Sequence, residues 1–155
     1  KHDLDNISIS STNIREYILH NNIGQANKLL GYNFFFSGKV VHGNKLGRKL
    51  GYPTANLKVE DEEKIIPGNG IYAVYAKAEG SDKLLKGMMS IGFRPTVDGK
   101  KRVIEVNIFD FDKEIYEQHL VVHVVAYLRQ EIKFDSLEAL VEQMGKDKME
   151  SLAIL

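Results

Sequence analysis

The sequence predicts a mainly β protein: an antiparallel sheet of five or six strands, closed or nearly closed into a small barrel, with helices at both ends. Three observations carry this. Apolar residues follow strand periodicity in β-branched and aromatic runs at 34–42, 71–78, 84–92, 103–109 and 119–128, separated by Gly, Asp and Lys clusters. No long helical stretch intervenes, so successive strands pair antiparallel and not through βαβ crossovers. A sheet of this length also has edges to protect, and closure removes them.

Residues 1–31 read as helical. Ser11, Thr12 or Asn13 can cap a helix on which Ile14, Tyr17 and Ile18 recur at helical spacing. A second, short helix runs through Ala26, Leu29 and Leu30 and ends at Gly31, a C′ residue, which sets the boundary with the barrel domain, 32–155. At the other end Asp135-Ser136-Leu137-Glu138 has the pattern of a capping box. Leu137, Leu140, Val141 and Met144 then form one stripe of a helix that should cover the barrel, and Gly145 is placed to bend or split it.

Composition narrows the function classes. The 155 residues are 43% hydrophobic, enough for a core without staples. Lys plus Arg and Asp plus Glu both number 21, so no overall field draws in nucleic acid, and any anion site is local. With no cysteine there are no disulfides or thiolate metal sites, which suits a cytoplasmic protein. No apolar run approaches the ~20 residues that span a bilayer, so no membrane partner is expected. The acidic run Glu60-Asp61-Glu62-Glu63 reads as a solvated loop, because adjacent carboxylates do not converge on one ion.

The stretch from Gly43 to Asn56, Gly-Asn-Lys-Leu-Gly-Arg-Lys-Leu-Gly-Tyr-Pro-Thr-Ala-Asn, carries the most chemistry. Gly43, Gly47 and Gly51 let backbone N–H groups approach an anion, and Lys45, Arg48 and Lys49 add positive charge. It is not a Walker A loop, since three residues separate Gly43 from Gly47 and Arg48 follows. If the exit beyond Pro53 is extended, Thr54 and Asn56 point to one side, where Mg²⁺ can sit between protein and phosphates. A solvated flexible turn would share the glycines and lysines; the Thr-Ala-Asn behind them favours phosphate.

On the run Val103–Phe109, Ile104, Val106 and Ile108 take one face and leave Glu105 and Asn107 side by side on the other. That is either an aimed carboxylate or the wet face of a half-exposed strand. His119 and His123 invite a shared metal, but on a strand they stand roughly 13 Å apart at ~3.3 Å per residue, so no histidine is assigned a metal.

Gly51-Tyr52-Pro53-Thr54-Ala55-Asn56 closely resembles the nucleotide-loop signature of riboflavin kinases. The resemblance continues through Phe36–Gly43, Met89–Thr96, Glu105–Phe109, Tyr127–Glu131 and Phe134–Leu137, in the family's order. It implies a six-stranded antiparallel Greek-key barrel and transfer of phosphate from ATP to riboflavin, giving FMN and ADP. It implies Glu105 as general base, and Gly43, Arg48, Gly51, Thr54, Asn56 and Asn107 for ATP. Thr54 and Asn56 would also ligate Mg²⁺ arriving with ATP, and Arg129 and Phe134 would lie on the flavin side. Arg129 has a plainer reading as a surface or helix-side salt bridge. The chain departs from the family where Glu117 follows Tyr116, a place usually held by glycine.

Ile9-Ser10-Ser11-Thr12-Asn13-Ile14-Arg15 resembles an element near the end of the adenylyltransferase module that precedes the kinase in bifunctional bacterial FAD synthetases. That module's His-x-Gly-His-type motif is absent, so the chain is expected to be cut from a longer protein and to make FMN but not FAD. The competing expectation is a non-catalytic flavin- or nucleotide-binding barrel, which needs a pocket but not Glu105, Thr54 and Asn56 together.

Overall fold

The computed structural model describes residues 2–42, 54–61, 63–111 and 113–155. Six strands, β1 (Phe35–Val41), β2 (Ala55–Lys58), β3 (Gly70–Ala78), β4 (Leu85–Thr96), β5 (Gly99–Ile108) and β6 (His119–Arg129), close in the order β1-β2-β5-β4-β3-β6, and all neighbours are antiparallel. β3, β4 and β5 form a meander and β6 returns beside β3, which is a Greek key. β2 was invisible to periodicity: it is four residues long and only Leu57 is buried.

Directly opposed residues in a sheet share a face. The pairs Leu57–Ile104–Ile91 and Ala55–Val106–Met89–Tyr72 therefore run as rows across the inside of the barrel, joined there by Phe36, Val40, Leu120, Val122 and Val124. These side chains fill the interior, which leaves the outer face for any ligand. Two register shifts between β3 and β6 bring Ile71 opposite Arg129 and Val74 opposite Val124. Such bulges re-aim side chains, and here they set Arg129 on the outer face beside Ile71.

The N-terminal helices α1 (His2–Leu19) and α2 (Ile23–Leu30) pack into this core through Ile18, Ile23 and Ala26, each at most 1% exposed. α1 starts at His2, upstream of the expected caps, so Ser11, Thr12 and Asn13 lie inside it at the small cost that such residues carry in a helix. Gly31 does end α2, at φ 82°, donating its N–H to Asn27 O. The Asn27 side chain accepts from Phe34 N–H (2.7 Å) and donates to Val124 O (2.9 Å), tying helix, β1 and β6 together.

The C-terminal helix α3 (Leu137–Ile154) is capped by Ser136, whose Oγ accepts from Ala139 N–H (3.1 Å), and not by Asp135 as the capping-box reading had it. It passes through Gly145 unbroken, because the intrahelical bonds on either side outweigh glycine's cost of about 1 kcal/mol. Tyr75 donates to Leu155 O (2.7 Å) and pins its end to the barrel. Glu117 sits at φ 69°, the left-handed region that glycine adopts freely, so at this turn a side chain occupies a conformation that favours glycine.

Candidate active site

The register places Val41, Asn56, Glu105, Ser90, Ile71 and Arg129 in one row around the outside of the barrel. Asn107 and Met88 form the next outer pair. The sequence reading that set Glu105 and Asn107 on a common face is thus realised, but the face is covered: Asn107 is 5% exposed and the Glu105 side chain 23%. What covers it is α3 with the segment before it. Between them and the barrel lies a cavity of about 360 Å³, within the ~300–1,000 Å³ typical of small-molecule sites.

That cavity is apolar on most sides, with Ile71, Met88, Met89, Phe134, Leu140 and Met144, and polar where Thr54, Ser90, Glu105, Asn107, Arg129 and Asp147 reach it. On the other side of Glu105, over β2 and the far half of β5, a second and more open cleft carries Lys58, Lys64, Lys101 and Arg102 together with His42 and Asn56. Glu105 and Arg94 line both. Glu105 thus stands on the wall between an apolar cavity and a basic cleft.

Burial pushes the Glu105 carboxyl above its ordinary range; Arg94 opposes this and Glu131 adds to it. One nitrogen of Arg94, Nη2, faces Glu131 Oε2 at 3.2 Å and Glu105 Oε1 at 3.6 Å. Behind the cavity, Arg129 makes a bidentate pair with Asp147 of α3 (Nε–Oδ1 2.9 Å, Nη2–Oδ2 2.7 Å), with Asp147 3% exposed and Gln143 also donating to it (3.0 Å). Arg129 therefore serves as a helix-side salt bridge, the plainer of its two readings, while also lining the cavity with Phe134.

The expected residues divide between the two spaces. Thr54, immediately before β2, opens on the apolar cavity, and Asn56 opens on the basic cleft. Gly43, Arg48 and Gly51 lie outside the described residues. Periodicity missed Arg94, Glu131 and Asp147: Arg94 lies near the end of β4 and Glu131 just past β6, and a single sequence does not reveal how these meet. Asp147 was legible only as the point where the stripe 140, 144, 147, 151 turns from apolar to polar. His119 lies between Glu60 and Glu79 (3.4 Å each) and His123 against the Phe35 ring (5.5 Å).

Comparison with known proteins places the chain in a family. A family model described as Flavokinase, riboflavin kinase, matches residues 30–155. The chain is 42% identical over 146 residues to the bifunctional riboflavin kinase/FMN adenylyltransferase of Listeria monocytogenes, covering 94% of this chain and 46% of that one. It is 45% identical over 144 residues to the Buchnera aphidicola protein of the same name, covering 91% and 45%. The chain thus spans about half the length of the curated relatives it matches. Among solved structures, one described as a macrolide-efflux protein from Streptococcus pneumoniae superposes with a TM-score of 0.84 at 40% identity, over 91% of this chain and 45% of that one. The efflux name is that protein's own; no described helix here is long and apolar enough to cross a membrane. A riboflavin kinase from Trypanosoma brucei shares the fold, with a TM-score of 0.55 at 24% identity over 78% of both chains.

Proposed function

The chain belongs to the riboflavin kinase family, and from that premise we propose that it transfers the γ-phosphoryl group of ATP to the 5′-hydroxyl of riboflavin, releasing FMN and ADP. The observation that carries the reading is the position of Glu105 between two cavities, one walled by Phe134, Leu140 and Met144 and the other carrying a cluster of cations. The apolar cavity suits a flat ring system: Phe134, Leu140 and Met144 offer faces to it, and Arg129, held rigid by Asp147, offers its remaining N–H donors at the polar end. The basic cleft suits a polyphosphate, whose charge Lys58, Lys64, Lys101 and Arg102 balance.

A hydroxyl reaching from the apolar side meets Glu105. The carboxylate takes its proton, the freed oxygen pair forms the bond to γ-phosphorus, and the bond from γ-phosphorus to the bridging oxygen breaks, leaving its electrons on ADP. A base of raised affinity for protons is better matched to this task than an ordinary carboxylate. The Thr54 hydroxyl and Asn56 amide oxygen are hard, neutral donors, and they fit a divalent cation that brings its own phosphate ligands. Mg²⁺ bound there would neutralise charge on the β- and γ-phosphates. Asn56, which opens on the basic cleft, forms the ATP side of this reading with Gly43, Arg48 and Gly51, while Thr54 and Asn107, which line the apolar cavity beside Glu105, would meet the γ-phosphoryl end of ATP there.

Residues 1–31 are assigned to the end of a nucleotidyltransferase-type module and 32–155 to the kinase domain, whose product in this reading is FMN. Incubation with riboflavin and Mg-ATP, with products resolved by chromatography, tests it. FMN and ADP in equal amounts are expected. Riboflavin that binds but is never phosphorylated would favour the alternative, a non-catalytic flavin-binding barrel.

A further inference from the structure

Along the outer face of β4, Ser90, Gly92 and Arg94 follow one another opposite Glu105, Val103 and Lys101 of β5. A β-carbon built on Gly92 would overlap the carboxylate of Glu131, so the missing side chain is the seat into which that carboxylate fits. From the seat, Glu131 Oε2 accepts from Arg94 Nη2 at 3.2 Å, and the same nitrogen faces Glu105 Oε1 at 3.6 Å. Arg94 Nη1 donates to Phe93 O (3.0 Å), which holds the plane of the guanidinium. Every component of this contact is carried by a strand or by the segment entering α3, and Arg94 has the longest side chain among them. A long, 43%-exposed side chain is therefore held by what it touches.

We propose that Glu131, seated on Gly92, and Arg94 form a positioning relay for Glu105. The inference rests on the phosphotransfer reading above. Arg94 alone would swing freely toward the basic cleft that it also lines. Glu131 takes the stronger hydrogen bond, keeps the guanidinium beside Glu105 and leaves the second Glu105 oxygen to the substrate hydroxyl. Because Glu131 opens the segment that carries Ile132 and Phe134 along the apolar cavity, the relay also ties the orientation of Glu105 to the wall that the acceptor touches. Arg94 and Glu131 are positioning residues here: they act on the reaction through Glu105.

The relay predicts non-additivity, since the contact by which Glu131 orients Glu105 passes through Arg94, and the direct effect of Glu131 on Glu105 is one of charge only. The test measures FMN formation by Arg94→Gln, Glu131→Gln and the double variant, with kcat and both KM values. Arg94→Gln should lower kcat roughly 10- to 100-fold, the scale of a misplaced catalytic group, with KM for Mg-ATP and riboflavin little changed. Glu131→Gln should lower kcat less, and the double variant should match Arg94→Gln. Arg94→Lys, which restores the charge without the planar fork, should recover part of the loss. Gly92→Ala is the independent variant: it evicts the Glu131 carboxylate without altering a charge, and should match Glu131→Gln with no further loss when the two are combined. Losses that multiply in the double variant, wild-type kcat in Arg94→Gln, or an effect confined to KM for Mg-ATP would each overturn the relay. A wild-type chain that makes no FMN would overturn the phosphotransfer reading and this inference with it, whereas an active wild type with multiplying losses overturns this inference alone.

Discussion

The barrel carries two helical caps, and they are attached in opposite ways. α1 and α2 are sealed on chiefly by apolar contact, with Ile18, Ile23 and Ala26 continuous with the interior core and the Asn27 and Asn21 side chains tying them to the strands. α3 buries Asp147 and Ser151 instead, turns Leu137 (54% exposed) and Met149 (75%) outward, and stands off from the sheet by the width of a ligand cavity. Burying an apolar side chain contributes roughly 1.5–3 kcal/mol and offers no chemistry. A buried ion pair contributes little net stability but fixes a geometry, here that of Arg129 against α3. The difference teaches where on one barrel a site can form: where the cap is held at a few polar points, space and polarity remain for a substrate.

The largest expected effect belongs to the α3 side. Glu105→Gln should lower kcat by roughly 10²–10⁴ while riboflavin still binds. The same variant should be more stable than wild type at neutral pH. The folded state raises the Glu105 pKa, so ionising this carboxyl destabilises the fold; that penalty is present in full above the folded-state value and gone below the ordinary 4.5. Thermal melts from neutral pH down through that window should show the advantage of the variant shrinking to nothing, and a constant difference would contradict the cause assigned to the shift.

Next come two substitutions of similar cost and different consequence. Asp147→Ala strips the partner from a largely buried guanidinium and should destabilise by about 3–5 kcal/mol. Ile23→Ala leaves a void under α2 and should cost about 2–5 kcal/mol. Assayed below both melting temperatures, only Asp147→Ala should raise KM for riboflavin. An Ile23→Ala enzyme with altered riboflavin KM would erase the distinction between the caps.

Two smaller effects sharpen it. Tyr72 lies under the N-terminal cap, donating to Gly68 O and accepting from Asn21 Nδ2 (2.8 Å), and burial lifts its pKa to about 12. Tyr72→Phe should cost about 1 kcal/mol by urea unfolding, since two half-buried partners lose their bond. Ser151 Oγ is buried on α3 without a hydrogen-bond partner among the described residues. Ser151→Ala should therefore stabilise by about 1 kcal/mol, the one helix-face truncation here expected to do so.

Much of this was legible in the sequence, for reasons tied to particular residues. Strand alternation located β1, β3, β4, β5 and β6, and put Glu105 beside Asn107, because side-chain direction follows from a period of two. It missed β2, whose Ala55 and Asn56 carry no apolar signal, and so could not show that Asn56 lies opposite Glu105. The helical stripe was read as Leu137, Leu140, Val141 and Met144; Leu137 is exposed instead, and the most deeply buried positions are Asp147, paired with Arg129, and Ser151. Register and ion pairing decide which neighbours meet, and neither is written in local pattern. The N-terminal segment illustrates the same limit: periodicity set a boundary at Gly31 but could not show that Ile18 and Ile23 pack into the barrel's core.

Hydrogen exchange with and without riboflavin and Mg-ADP tests the contrast between the caps most directly. The account predicts that the ligands slow exchange in β5 around Glu105, in residues 130–136 and in the first half of α3, and leave α1 and α2 unchanged. Protection that appears in α1 and α2 but not in α3 would contradict it.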